Sequence, residues 1–185
     1  MRSPGYQQDL PFGIGSAPPP PADAPGPPTR RLVAIAGGKG GIGKSVLATT
    51  LGVELARRGL RTLLVDLDFG GPNLHTLLGM ACPRETLSEF VSRQVNGLPE
   101  LAVPTPVPAL SLIPGARNAV QDASLLCQQR ARLLRATAGL TAEVVVLDLG
   151  AGTHHNVVVF FLEATHALLV VVPEPTSVEN AYRFL

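Results

Sequence analysis

The pattern of hydrophobic and polar positions divides the chain near residue 31. Apolar residues are sparse in residues 1–31, where half of the 18 prolines lie, including Pro18 to Pro21. Such a segment cannot bury enough apolar surface to offset the entropy of ordering, so we predict a disordered tail with polyproline character. From residue 32 to residue 185, short apolar runs alternate with segments of helical period, which predicts one folded domain.

The folded part opens with strand, helix and strand. The apolar run Leu32–Ala36 predicts a strand, and a glycine-rich loop follows it. A helix ending at Gly59 is then indicated by four apolar residues at helical spacing: Leu47, Ala48, Leu51 and Leu55. The run Arg61–Asp66 predicts a second buried strand. This order is the unit of a parallel sheet with a right-handed crossover.

The same alternation continues to the end of the chain. Further strands are predicted at 110–113, 144–148 and 167–172, and the four prolines of 98–108 indicate a connector. Further helices are predicted as two short segments within 76–96, one from Asp122 to Ala138, a buried face at Val157–Leu162, and a last helix capped by Thr176 or Ser177. We therefore predict a three-layer α/β fold with a mostly parallel central sheet and helices on both faces. Because the sheet would be expected to continue, we expect residues 32–185 to be truncated at their C-terminal end.

Composition excludes several classes of protein. The formal net charge of +1 favours neither nucleic acid nor a membrane surface as a partner. We expect no transmembrane helix and no secretion signal. Cys82 and Cys127 are isolated, which indicates a reduced, cytoplasmic protein. His154 and His155 have no metal-ligand spacing around them, and the arginines of the 122–138 helix are interpreted as a solvated face: Arg130, Arg132 and Arg135.

The loop after the first strand carries the chemistry. Residues 38–45 fit G-x-x-x-x-G-K-[ST], with Gly38, Gly43, Lys44 and Ser45 at the fixed positions. Its glycines let successive backbone N–H groups turn toward one anion, and the following helix adds its positive end. Lys44 is expected to reach the β- and γ-phosphates of a nucleotide, and the Ser45 hydroxyl to bind Mg²⁺.

Lysine occurs at two positions only, Lys39 and Lys44, and the other 13 of the 15 basic residues are arginines. A compact, flexible ammonium therefore remains only in this loop, where a planar guanidinium could not replace it. Lys44 is the phosphate lysine, whereas Lys39 is additional, because the motif places no demand on its position.

Aspartates follow two of the predicted strands. Asp66 and Asp68 come at the end of the second strand and precede Gly70 and Gly71, and Asp148 ends the run Val144–Asp148. Open α/β sheets bind ligands at the carboxyl ends of their strands, where an aspartate typically holds Mg²⁺. By position, Ser45 and Asp148 are thus candidate Mg²⁺ residues, and both Asp66 and Asp68 could reach the metal and phosphate region.

These motifs together resemble the MinD/ParA family of ATPases. Residues 38–45 are similar to the family's deviant phosphate loop with its signature lysine, 66–75 to its first switch, 148–152 to its second, and 172–177 to a later strand end. Within the family, the sequence most resembles the MinD-like flagellar-number-regulator branch. The resemblance implies that ATP and Mg²⁺ bind at nine loop residues: Gly38, Lys39, Gly40, Gly41, Ile42, Gly43, Lys44, Ser45 and Val46.

The resemblance also implies a mechanism. Two subunits are expected to close over ATP, with Lys39 crossing to neutralise phosphate charge in the partner's site. Asp68 is expected to position the attacking water, so that Lys39, Lys44 and Asp68 form the catalytic set. Asp66 is expected to join Ser45 and Asp148 as the residues tied to Mg²⁺. Hydrolysis is expected to be slow, to be stimulated by an activating protein, and to time the return of the dimer to monomers. A switch of this kind would take part in the spatial positioning of the division site, flagella or DNA.

Departures from the family pattern leave alternatives open. His75 stands where many relatives carry an acid, and the base-reading segment and the membrane-binding helix of the family fall beyond Leu185. Contact with a membrane or with DNA, including ATP-dependent attachment to the inner membrane, therefore has no support in this chain. An iron–sulfur carrier of the related Mrp type would need paired cysteines, and a platform that binds nucleotide without turnover is a further alternative.

Overall fold

A computed structural model describes residues 30–116 and 127–184. The predicted tail and the start of the 122–138 helix, with its capping Asp122, lie largely outside these residues. Within them, six strands form one sheet, in the order β3-β4-β2-β5-β1-β6. The strands are β1 (Arg31–Gly37), β2 (Thr62–Leu67), β3 (Val103–Pro104), β4 (Leu110–Ile113), β5 (Val144–Ala151) and β6 (His166–Leu169).

The sheet is mostly parallel, which confirms the predicted fold class. Each neighbouring pair from β4 to β6 is parallel, and only the short edge strand β3 runs antiparallel to β4. The carboxyl ends of β1, β2 and β5 therefore meet at one edge of the sheet. Strand β3 lies within the segment predicted as a plain connector, and its Pro104 is tolerated because an edge strand has one unpaired side.

Helices cover both faces of the sheet. They are α1 (Lys44–Arg57), α2 (Leu74–Leu77), α3 (Leu87–Val91), α4 (Cys127–Ala138), α5 (His155–Leu162) and α6 (Pro175–Tyr182), with a 3₁₀ turn at Leu98–Leu101. One core cluster contains buried residues of α1 and α2, and the other contains those of α3, α4 and α5. Alternate residues of each central strand face the two clusters, as the period of two requires.

Several predicted boundaries and faces need correction. Strand β6 ends at Leu169 rather than at 172, and α6 is preceded by Glu174 rather than capped by Thr176 or Ser177, with Pro175 as its first residue. Proline suits this position because its missing N–H would be unpaired there. Leu162, predicted on a buried face, is 71% exposed because it lies in the last turn of α5, beyond the core-facing Phe160.

The arginines of α4 do not form a solvated face. Arg132 donates to the carbonyl oxygens of Phe90 and Val95 and stacks on the Phe90 ring at 4.0 Å. Arg130 donates to Asn156 Oδ1 at 2.9 Å. Only Arg135 is exposed. Two of these three side chains therefore tie α4 to α3 and α5, because a guanidinium can serve several carbonyls at once.

Candidate functional site

The glycine-rich loop connects β1 to α1 at the carboxyl edge of the sheet. Gly41 and Gly43 have φ values of 75° and 91°, a backbone region that favours glycine. Gly38 is required for a different reason, since a Cβ there would lie 2.3 Å from the Cβ of Asn180. No side chain caps the start of α1, and its first turn holds no acidic residue. The first amides of α1 thus remain available to an anion.

Lys44 lies at the base of this loop and is 6% exposed. Its Nζ donates to the carbonyl oxygen of Lys39 at 3.2 Å, so the ammonium lies beneath the loop that would surround a phosphate. Within the described residues, no carboxylate forms an ion pair with Lys44. A buried cation without a paired anion provides a strong electrostatic attraction for a phosphate.

Asp148 lies one strand away, in β5, and is fully buried. Neither of its carboxylate oxygens has a hydrogen-bond partner among the described residues. Burial, aided by the charge of Asp68, raises the pKa of Asp148 to about 6, although Ser45 and Lys44 act in the opposite direction. The Ser45 hydroxyl is close enough to lower this pKa but does not meet the carboxylate in normal hydrogen-bond geometry. An unpartnered buried carboxylate beside a hydroxyl is suited to a hydrated divalent cation.

Asp66 occupies the matching position in β2, in register with Asp148, but has partners. Its Oδ1 accepts from the Asp68 amide at 3.2 Å, and its Oδ2 accepts from the amides of Asn73 and Leu74 at 2.9 and 3.1 Å. Burial raises the pKa of Asp66 to about 7, and the charge of Asp148 adds to this, while the amides oppose it. The carboxylate of Asp66 is thus occupied by backbone amides, whereas that of Asp148 has no partner among the described residues.

Asp68 lies in the loop that follows β2 and is half-buried. Its Oδ1 accepts from the amides of Gly70 and Gly71 at 2.9 and 3.2 Å. A Cβ on Gly150 would lie 3.2 Å from the same oxygen, so the loop after β2 lies against the end of β5. The two predicted switch segments are therefore in contact at Asp68.

Lys39 is placed differently from the other loop residues. Its side chain is 42% exposed, and its ammonium pairs with the carboxylate of Glu174, which precedes α6. Asn180 of α6 also donates through Nδ2 to the Gly38 carbonyl at 3.0 Å. The sequence does not predict either contact, because Glu174 lies in a segment typical of a strand end and Asn180 carries no motif.

Two cavities show how far the candidate site could extend beyond the loop. One of about 460 Å³ lies at the opposite edge of the sheet, near Arg61 and Leu110, and is remote from the loop. Another of about 410 Å³ lies between the two switch segments, where Asp68, Gly70 and Gly150 line it. Only the second cavity adjoins the acidic residues, whereas the phosphate-binding loop itself is open to solvent along Gly40 and Gly41.

A comparison with protein families shows which family the chain belongs to. A family model for the CobQ/CobB/MinD/ParA nucleotide binding domain matches residues 33–182. The chain belongs to this family. The predicted resemblance to MinD/ParA proteins is thereby confirmed, while the finer assignment to a branch stays a prediction.

Relatives and solved structures agree with the family. Antiactivator FleN of Pseudomonas aeruginosa is 33% identical over 157 residues, which are 84% of this chain and 55% of FleN. Septum site-determining protein MinD of Synechocystis is 30% identical over 156 residues, 84% of this chain and 58% of that protein. The structure of MinD from Pyrococcus horikoshii with Mg-ADP has a TM-score of 0.71 at 26% identity, covering 82% of this chain and 62% of that one. The chain thus spans little more than half the length of the curated relatives it matches.

The remaining candidate residues form no second site. Among residues 30–116 and 127–184, no group of three or more histidines, cysteines or acids could hold a metal ion. Cys82 and Cys127 are exposed and unpaired, and His154 and His155 lie at the start of α5. No helix of the described ranges has both the length and the apolar character needed to cross a membrane.

Proposed function

We propose that this domain binds ATP with Mg²⁺ and acts as a slowly hydrolysing, dimerising switch. The observation that carries the proposal is the buried, unpartnered carboxylate of Asp148 beside Ser45 and the cationic base of the phosphate loop. Burying a carboxylate without a partner is costly, so a native protein retains one where a ligand completes it.

The residues of the loop fit the two ligands. Backbone amides from Gly38 to Val46 and the Lys44 ammonium would bind the phosphates, and Ser45 with Asp148 would bind Mg²⁺ directly or through water. Bound Mg²⁺ would neutralise charge on the phosphates. Asp68 would orient a water molecule, since its carboxylate lies on the loop between the two strand ends. The preference for ATP over GTP is taken from the family.

Dimerisation rests on Lys39. Its half-exposed side chain pairs with the carboxylate of Glu174, which is itself half-exposed. Such a pair is worth roughly 0–1 kcal/mol, so it can be exchanged for a phosphate group at little cost. In an ATP-bound pair of subunits, Lys39 would then place its charge in the site of the partner subunit.

The proposed cellular role is based on the roles that the relatives' names give. MinD proteins are septum site-determining proteins and FleN is an antiactivator. We propose that this chain likewise takes part in the spatial positioning of cellular machinery through an activating protein that binds one nucleotide state. Membrane or DNA contact is not part of this proposal.

A platform that binds nucleotide without turnover is the second candidate. The pairing of Lys39 with Glu174 of its own chain favours it, because a lysine that stayed there would leave the hydrolytic site incomplete. Calorimetric titration with Mg-ATP, combined with phosphate release measured at rising protein concentration, separates the two. Binding with turnover that rises with concentration supports the switch, binding without turnover supports the platform, and absence of binding contradicts both.

A further inference from the structure

The two strand-end aspartates, Asp66 and Asp148, have different surroundings, which indicates different roles in the proposed nucleotide site. Asp66 and Asp148 face each other in register on adjacent parallel strands, and both are buried. Both oxygens of Asp148 lack partners, whereas both oxygens of Asp66 accept hydrogen bonds from backbone amides. Equivalent positions in the sheet thus present one free and one occupied carboxylate.

The three amides that bind Asp66 come from the two ends of one loop. The Asp68 amide lies at the start of the loop, and the amides of Asn73 and Leu74 lie at its end, where α2 begins. No side-chain bond from Asn73 caps this helix. Because α2 has only four residues, it cannot be stable by itself and depends on such external contacts. The carboxylate of Asp66 therefore closes the loop and caps its helix at the same time.

The turn after β4 closes the remaining side of Asp66. Gly115 is buried there, and a Cβ on it would lie 3.0 Å from the Asp66 Cγ and 2.5 Å from the Pro72 Cβ. Pro72 lies within the same loop. Gly115 thus packs against both the carboxylate and the loop, which leaves little space beside Asp66 for the water shell of a cation.

We propose that Asp66 is a positioning residue that holds the loop from Asp68 to Leu74, with Gly115 as its packing support, and that Asp148 is the carboxylate that serves Mg²⁺. The proposal rests on the proposed nucleotide site, but it assigns to Asp66 a task other than metal binding. It also makes Gly115, which carries no recognised motif, a determinant of where Asp68 lies.

The test compares Asp66→Asn with Asp148→Asn in three measurements: Mg²⁺ dependence of ATP binding, kcat and KM for hydrolysis, and amide hydrogen exchange. An asparagine at 66 keeps one acceptor oxygen and loses the other, so we expect either the Asp68 amide or the amides of Asn73 and Leu74 to exchange about tenfold faster. We expect kcat to fall about tenfold or more, with the half-saturating Mg²⁺ concentration within about twofold of the original. Asp148→Asn should raise that concentration about tenfold or more and leave the loop amides protected.

Gly115→Ala provides a second variant, in which Asp66 keeps its chemistry. The added methyl group should displace Pro72 and Asp66, so kcat should fall without a change in Mg²⁺ requirement. Gly139→Ala is the matched control, because its Cβ would make only an ordinary contact of 3.6 Å with the Ala136 carbonyl, far from the loop.

The outcomes separate this proposal from the proposed function. If Asp66→Asn raised the Mg²⁺ requirement as much as Asp148→Asn does and left the loop amides protected, the positioning role would be wrong. If the original protein bound no nucleotide, the proposed function would fail, yet faster exchange at Asp68, or at Asn73 and Leu74, in ligand-free Asp66→Asn would still support the positioning role.

Discussion

The two lysines of the chain lie five residues apart in one loop and have opposite surroundings. Lys44 is buried and donates to a carbonyl of its own loop, whereas Lys39 is half-exposed and pairs with Glu174, which directly precedes α6. We call Lys44, Ser45 and the strand-end aspartates the inner half of the site, and Gly38 with Lys39 the outer half. The inner half is supported by α1 and the strand ends. The outer half is held by α6, through Glu174 and through the bond from Asn180 to Gly38.

Under the proposed function, this difference separates nucleotide binding at Lys44 from the switching step at Lys39. A buried lysine cannot change partners without exposing an unpaired charge or leaving a carbonyl unsatisfied, so Lys44 is fixed in its own site. An exposed ion pair contributes little, so Lys39 can exchange Glu174 for another anion. We therefore expect changes in the inner half to affect nucleotide affinity, and changes in the outer half to affect steps that follow binding.

Lys44→Ala should have the largest effect. Loss of a charge-assisted contact with the phosphates should weaken Mg-ATP binding about 10- to 100-fold and abolish measurable turnover. Calorimetry and phosphate release provide the measurements, with a thermal unfolding curve to show that the variant folds. Unchanged affinity in a folded Lys44→Ala protein would contradict the assignment of the inner half to binding.

Lys39→Ala and Lys39→Arg should leave affinity within about threefold and lower turnover about 100-fold, as expected for one donor that acts only in the transition state. The reason is that Lys39 would reach phosphate only in the paired subunits. Phosphate release is measured as protein concentration rises, and sizing with ATP and ADP reports the dimer. Should either variant hydrolyse ATP at the original rate, the switching role of Lys39 would be wrong.

The inner half of the site was accessible to sequence reasoning because its signals are local. The glycine positions, Lys44, Ser45 and the strand-end aspartates lie within short segments whose period and turn residues fix their conformation. The strand–loop–helix context predicted from residues 32–55 matches β1 and α1 as observed. Local propensity and tertiary packing agree here, as they do where a site is built on regular elements.

The outer half was not accessible because its contacts span the chain. Asn180 and Gly38 are 142 positions apart, and Lys39 and Glu174 are 135 apart. A single sequence gives no signal for such a pair, since neither periodicity nor turn chemistry connects them. For the same reason the sequence gives no signal that Gly115 packs on Asp66, which lies 49 positions earlier in the chain.

Asp148 gives a pH-dependent prediction for the inner half. Burial raises its pKa from 3.8 to about 6, so the folded protein binds this proton more tightly than the unfolded chain does. The stability that this proton contributes is complete below pH 3.8 and is lost as the pH rises through about 6. Replacing the carboxylate with an amide removes that loss.

Without nucleotide and in EDTA, we therefore expect Asp148→Asn to be more stable than the original protein at pH 8, by about 1–3 kcal/mol, and this gain to vanish toward pH 4. Denaturant unfolding at several pH values measures it. Glu54→Gln is the control, because Glu54 lies on the exposed face of α1 in a surface pair with Arg58. An advantage of Asp148→Asn that did not change with pH would show that the carboxylate is not titrating in this range.

Glu174→Gln should have the smallest effect and bears most directly on the outer half. Because the Lys39–Glu174 pair is exposed, its loss should change the free energy of unfolding by less than about 1 kcal/mol. Releasing Lys39 should raise the ATP-dependent association constant of the dimer by up to about fivefold for each of the two Lys39 side chains, which corresponds to the same energy for each pair. Sizing at a series of protein concentrations measures this, with Glu179→Gln, one turn along α6 and paired with Arg183, as the matched control. A fall in dimerisation would show instead that Glu174 is needed in the paired state, so that α6 would belong to the interface itself rather than restrain Lys39 before pairing.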